Sequence, residues 1–472
     1  MPRLNIIKGD KVASNADYRD ALPENMIAVQ KDILGANGYM ISHPGLSLFA
    51  IGEGIDRGGF WNERFNKHFR VSHQSLIEVK QDGTTDFLGT ISGDRRVSMA
   101  DSFNTQAVVA DGKMWLYDNL TLNQVTDPNL GNPIDITWID GYYFMTDGEY
   151  LFHTDLNDES SIDPLKFATA EFSPDKTLAV EKTSDNQVIV FGRYSIEYFR
   201  NSASDNFAFS RLQGKAQKIG VMGTQAETEL DGRFFILGGA KEESPSVHMV
   251  QAGSSQSIAT REIDKVIATY TESELVDAVL ETRTEERDQF ILVRLPDHTL
   301  LYNHTIAKSL GLASAWTIIK TPVQDKGYPF KNRWRGANGV FDPRVAKWIY
   351  GDIVNSNIGM LDNTIASQYG EQVEAILYTP FLNIESASID DFELDTVPGH
   401  NINIDNVTVS ISLTYDGITY SKEWFKLYGM KADYNTRFIL RRLGYVRDYV
   451  GFKIRCVSTD RVNFAGLNLR YA

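Results

Sequence analysis

The sequence predicts an all-β protein: a β-propeller of about seven blades with a helical insertion, followed by a C-terminal β-sandwich. Three observations lead there. Asp-Gly and related turn pairs recur between strand-like runs from about residue 30 to about residue 365. Most of these units stand roughly 35–55 residues apart, the interval of propeller blades. Beyond about 365 the pattern changes to longer runs of alternating apolar and polar residues, as two packed sheets require.

"WIDGYYFMTDGEYLFHTD" (138–155) is the clearest unit. Asp-Gly favours a two-residue type I′ turn, so Asp140-Gly141 and Asp147-Gly148 bound a short strand, Tyr142 to Thr146, in a three-strand meander. Large side chains such as Trp138 and Tyr143 fall on both faces, which suits a sheet covered by neighbours on each side. Looser versions follow the same plan. They turn at Pro44-Gly45 (39–51), Asp111-Gly112 (106–118), Gly192-Arg193 (185–199), Asp231-Gly232 (227–239), Pro296-Asp297 (287–303) and Asp342-Pro343 (339–362). Seven units favour seven blades, with six or eight open. A large irregular β-sandwich is the competing arrangement.

"SIATREIDKVIATYTESELVDAVLETRTEER" (257–287) interrupts the strands. Ile263, Val266, Ile267 and Tyr270 repeat at helical spacing, as do Leu275, Val276, Val279 and Leu280. One amphipathic helix or two short ones are expected, packed on the propeller rim. The propeller should span 1–365 and the sandwich 366–472. In the latter, 407–428 forms a hairpin around Asp416-Gly417, and 437–444, 449–458 and 464–472 complete an antiparallel set. Cys456 shares a face with Phe452 and Ile454 and should be a core residue. The acidic "DDFELDTVPGH" (390–400) reads as a loop.

Composition narrows the classes. A chain of 472 residues exceeds one ordinary domain. Hydrophobic content of 42% supports a core, and 23% charged residues argue against global disorder. A single cysteine allows no internal disulfide and suits a reducing cytosol. No signal peptide or apolar run of about 18 residues is apparent, so no membrane insertion is expected. Net charge of −15 opposes a surface that grips nucleic acid everywhere. The charge is uneven: residues 401–472 hold 11 Lys+Arg against 6 Asp+Glu, leaving −20 on residues 1–400.

Motifs for chemistry are scarce. There is no Gly-x-Ser-x-Gly, no phosphate loop ending in Lys-Ser/Thr, no His-Glu-x-x-His and no sialidase box. His68 with His73, and His298 with His304 and Asp297, lack a spacing that gathers three metal ligands, so they read as turn or loop histidines. Paired carboxylates for glycoside hydrolysis are too numerous among 62 acids to be informative. "RGGFWNERFNKHFRVS" (57–72) interleaves Arg57, Arg64, Lys67 and Arg70 with aromatics, a pattern that can bind single strands. In an acidic chain it reads better as a first-blade segment with core aromatics. Arg441-Arg442 and the "RWR" at 333–335 read as strand-edge or interface residues. No catalytic, cofactor or metal residues are assigned.

"SFNTQAVVADGKMWLYD" (102–118), "FKNRWRGANGVFD" (330–342), "GDIVNSNIGMLD" (351–362) and "GFKIRCVSTDRVNFAGLNLRYA" (451–472) together resemble the packaged DNA stabilization, or tail hub, family of short-tailed Salmonella phages and their relatives. The resemblance runs from end to end. It implies a virion tail protein without enzyme activity or cofactor, made in the host cytoplasm. It further implies a homo-hexameric ring beneath the portal and its adaptor ring protein, which receives the tail needle protein and offers attachment to the tailspike protein. DNA would pass through that ring without sequence-specific binding, and loss of the ring would let packaged DNA leak. Six chains at −15 each carry −90, so an acidic passage that repels phosphate is expected. A polysaccharide-binding or polysaccharide-cleaving propeller is the alternative function.

Overall fold

A computed structural model describes residues 3–4, 21–31, 34–156, 158–321, 331–399 and 407–472. The quoted His400 and most of the N-terminal stretch 1–10 lie outside the described residues.

Seven sheets of four or five antiparallel strands succeed one another in chain order. They cover residues 56–90, 98–124, 135–168, 177–211, 220–257, 279–318, and 336–362 together with Gly45–Ile51. The last is the closing device of a propeller: Gly45–Ile51 is the outermost strand of a blade whose other three strands arrive some 290 residues later. The fold is thus a β-propeller with a β-sandwich.

Turn chemistry explains the hairpins. Asp111-Gly112, Asp140-Gly141 and Asp231-Gly232 all hold positive φ at both positions, as a type I′ turn requires. The 147–148 pair differs from expectation. Only Gly148 has positive φ, while the Asp147 carboxylate accepts the Glu149 and Tyr150 N–H groups at 3.0 and 2.7 Å. Side-chain capping therefore builds a wider turn there.

The unit at 39–51 is not a blade hairpin. Tyr39–Ser42 belongs to the sandwich, and Gly45–Ile51 closes the seventh blade. The hairpin that makes the first blade is Asp56–Asn62 with Lys67–Ser72, inside the basic-aromatic segment.

The helical segment forms two short helices, Arg261–Ile267 and Glu272–Leu275, the second opened by a Thr271/Glu274 capping box. Ile263, Ile267 and Leu275 are buried. The Ser246 hydroxyl donates to Asp264, and the Tyr270 hydroxyl meets His298 Nδ1, which ties the helices to the fifth and sixth blades. Val279 and Leu280 are not helical. They start the inner strand Val279–Glu285, which must begin there to pair along its whole length with Asp288–Arg294.

Two sheets make the sandwich. One orders Met26–Val29, Tyr39–Ser42, Asn463–Tyr471, Ala387–Thr396 and Phe438–Val446, with Arg3–Leu4 on the side of Asn463–Tyr471; the other orders Val373–Tyr378, Tyr449–Ser458, Val407–Thr414 and Trp424–Gly429, with Leu382–Asn383 attached. The strands Met26–Val29 and Tyr39–Ser42 thus pair within a sandwich sheet. The stretch expected as a loop is mostly the strand Ala387–Thr396, with Ile389, Phe392 and Leu394 buried. Its acids face Arg437, Arg441 and Arg470 of the flanking strands, partners too distant in sequence to be seen locally. Cys456 lies buried between the sheets, its thiol pushed up to about 12 by burial. One apolar cluster joins this core to the fourth, fifth and sixth blades.

Candidate functional site

The inner strands of the seven blades converge on the propeller axis. There they line a cleft of about 470 Å³ that includes Gly59, Ser98, Asp135, Glu181, Glu227, Glu281 and Asn338. Asp135, Glu181, Glu227 and Glu281 come from four consecutive blades at intervals of 46, 46 and 54 residues. That interval is the blade period, the one signal in the sequence that could have found them.

The four acids divide into two sorts. Burial pushes Asp135 up to about 7 against the Val180 N–H and the Ser98 hydroxyl, which favour its charge. Burial and then the Asp135 charge raise Glu181 to about 8. Glu227 is held well above the usual range by burial, Glu181 and Asp135. Both glutamates keep some solvent contact through the cleft. Glu281 is the opposite case. Burial would raise it, but Arg294 and Arg96 hold it down at about 2. Its oxygens accept from Arg294 at 2.9 and 3.2 Å and from the Asn338 N–H at 2.9 Å. A carboxylate at low pKa therefore joins the sixth blade to the seventh, while the neighbouring acids favour their neutral forms.

The knot continues around the axis. Arg70 has no solvent contact and donates to Asp56 at 2.7 and 3.0 Å, and to the Asn338 carbonyl at 2.8 Å. This fastens the first blade to the seventh. Across the axis, Gln225 Nε2 donates to Ser98 Oγ at 3.0 Å, linking the fifth blade to the second. The axis is a braced core crossed by hydrogen bonds, not a conduit for a duplex.

At one mouth of the axis a cleft of about 550 Å³ gathers Phe60, Phe103, Trp138, Glu63, Asp101 and Glu181. Phe103 lies edge-on to Trp138 at 4.8 Å; Arg64 stacks over Phe103 and Lys182 over Trp138, at 5.4 and 5.6 Å. The ladder runs across four blades. A cation stands over one face of each ring, so the aromatics brace the wall as well as lining the cleft.

The other residues singled out by sequence serve structure. The Arg57 guanidinium donates to the carbonyls of Arg95, His73 and Ser92, and Lys67 pairs with Glu78 at 2.9 Å. The basic-aromatic segment has thus spent most of its donors internally. His68 is buried beside Asp342 at 3.4 Å, whereas His73 sits in a positive-φ turn. His298 meets Tyr270 and Asn332, and His304 packs against Phe235 and Tyr302, so neither histidine pair converges. Among the described residues no three His, Cys, Asp or Glu side chains gather in a metal-binding group. Trp334 is buried and Arg335 pairs with Asp352 at 2.7 Å; Arg441 lies 3.6 Å from Asp391. No described helix is long and apolar enough to cross a membrane.

Comparison with known proteins completes the picture. Residues 2–366 match the family described as bacteriophage P22 Gp10, beta-propeller, and residues 374–472 match bacteriophage P22 Gp10, beta-sandwich. The tail hub protein gp10 of Salmonella phage P22 is 30% identical over 486 residues, covering 99% of each chain. Among solved structures, a catalytically inactive virginiamycin B lyase from Staphylococcus aureus aligns at 12% identity and TM-score 0.43, over 69% of this chain and 99% of its own. A streptogramin B lyase gives 12% and 0.42, over 69% and 97%. Resemblances that distant transfer no activity.

Proposed function

Because the chain belongs to the bacteriophage P22 Gp10 family of tail hub proteins, we propose that it works as a hexameric ring closing the virion's DNA channel. In this reading the ring sits below the portal and adaptor rings, receives the tail needle, offers a surface to the tailspikes and retains packaged DNA until ejection. The observation that carries it is the end-to-end match, 30% identity over 99% of both chains. The structure supports it physically. A component that holds DNA under pressure must not yield, and close-packed cores with buried ion pairs linking the blades deform little. The Gln225–Ser98 hydrogen bond across the propeller axis supports a DNA passage between copies rather than through one propeller. The net charge of −15 per chain would let phosphates slide past without sticking.

The test is a particle lacking this protein. Heads should fill with DNA and then lose it, and adding purified protein with needle should restore retention. Heads that stay full without it would overturn the reading. Sedimentation of the protein mixed with adaptor-loaded portals should show six copies bound.

A further inference from the structure

We propose that the Trp424–Gly429 edge of the sandwich docks on the outer rim of the seventh and first blades of a second copy, in a head-to-tail contact. The inference rests on the ring reading and names the surfaces that would close the ring. The sandwich meets its own propeller at Glu24–Asn25 and again at Thr459–Arg461, which bond Ala366, Ser367 and Asn363 just beyond the seventh blade. Met26–Val29 and Val373–Tyr378 are terminal strands of the two sheets, and Glu24–Asn25, just before the first, bonds both Ile376 and Ile318 of the sixth blade. Trp424–Gly429 and Phe438–Val446 are the opposite terminal strands, and neither pairs with a blade strand.

This far end is rich in uncovered apolar surface. Nine of the 23 large apolar side chains left exposed among the described residues fall between 415 and 471. On the edge strand itself Phe425 is 63% exposed and Leu427 49%. Among the described residues, that strand pairs only with Val407–Thr414. An exposed apolar edge strand invites another chain. Lys426, between the two apolar residues, and Arg442 nearby have no ionic partner among the described residues. Two such edges meeting each other would set lysine against lysine. The fitting partner is apolar and acidic.

The same chain carries such a surface elsewhere. The outer strands of the seventh and first blades meet where the Thr85 hydroxyl donates to the Ile51 carbonyl at 3.3 Å. Around that point Leu48, Ile51 and Phe87 are exposed, the last at 61%. Glu53, Asp82 and Asp86 are exposed beside them, with Lys80 paired to Asp86 as the local cation. Ile51 lies at the end of its strand away from the sandwich connection at Gly45. Two different, complementary patches on one molecule make a heterologous contact, the kind that generates rings.

Cysteine pairs test this, because Cys456 is buried and silent. Full-length protein carrying both Phe87→Cys and Leu427→Cys, in solution and in assembled tails, should give a ladder of disulfide-linked oligomers. A mixture of the two single variants should give only dimers, and neither single variant should cross-link to itself. Asp86→Lys should weaken association about tenfold, and adding Lys426→Glu to the same chain should regain it. Oligomers by sedimentation without a ladder overturn this contact and leave the ring reading standing. Leu427→Cys cross-linking to itself overturns it in favour of a two-fold edge. A monomer in solution, with no ring in tails, overturns both.

Discussion

Arg70 is the residue on which the joint between the first and seventh blades turns. Its guanidinium meets both Asp56 oxygens and the carbonyls of Ala337 and Asn338, with no water to replace them. Removing one partner of a buried ion pair leaves the other charge stranded, which costs about 3–5 kcal/mol. Arg70→Met should therefore lower the unfolding free energy by about that much in urea titrations; a loss under about 1 kcal/mol would show that the pair is dispensable. The axis acids make a pH prediction. Asp135 and Glu181, at about 7 and about 8, hold protons in the folded state that the unfolded chain releases near pH 4. Their contribution is whole below about pH 4 and is lost as pH rises through about 7 to 8. Histidines kept neutral by burial, His68 and His304 at about 4, act in the opposite sense below about pH 6.5. The carboxyl effect is therefore read between about pH 6.5 and about pH 8, above the histidine window and below the point where both carboxyls are ionised in the folded state. There the Tm should fall with rising pH, and Glu181→Gln should flatten the decline. A variant that declines as steeply as the wild type would remove Glu181 from the account.

Among the elements, the hairpins were the most legible. Asp-Gly at 111–112, 140–141 and 231–232 dictates positive φ locally, and no distant contact is needed to produce it. Gly232 isolates the backbone term, because a Cβ there would meet only Ser184 Oγ at an ordinary 3.6 Å. At φ +72° an alanine is strained, so Gly232→Ala should destabilise by about 1–2 kcal/mol in thermal or urea unfolding. No change would mean that the turn relaxes. Two elements were misread for one reason. Val279–Leu280 kept helical spacing by coincidence, and 390–396 looked like an acidic loop. In each case the deciding partner lies outside the segment: Asp288–Arg294 for the first, and the arginines at 437, 441 and 470 for the second.

At the scale of the whole molecule, the positive charge of 401–472 loses much of its meaning. Asp390, Asp391, Glu393 and Asp395 enter the same sheet on one strand, and Arg437, Arg441 and Arg470 lie against them. Exposed pairs of this kind add little stability, but they cancel the field that a segment count suggests. The apolar cluster shared by sandwich and blades, with the chain crossing from Tyr39–Ser42 into Gly45–Ile51, couples the two bodies. Calorimetry should show one cooperative transition, and deleting 463–472 should lower the propeller's Tm with the sandwich's. Two separated peaks, with the propeller untouched by the deletion, would show that the bodies fold apart.

What the sequence determined by itself was the fold class, the blade interval, the turns at 111–112, 140–141 and 231–232, and the buried state of Cys456. These follow from short-range rules: φ preference, alternation of side chains and periodic spacing. Only the tertiary structure decided that residues 39–51 divide between two bodies, that a strand near the N-terminus closes the wheel, and that acids 46 residues apart line one axial cleft. The physical reason is that a strand's partner and a carboxyl's pKa depend on what the folded chain brings alongside, and that neighbour is hundreds of residues away in some of these pairs.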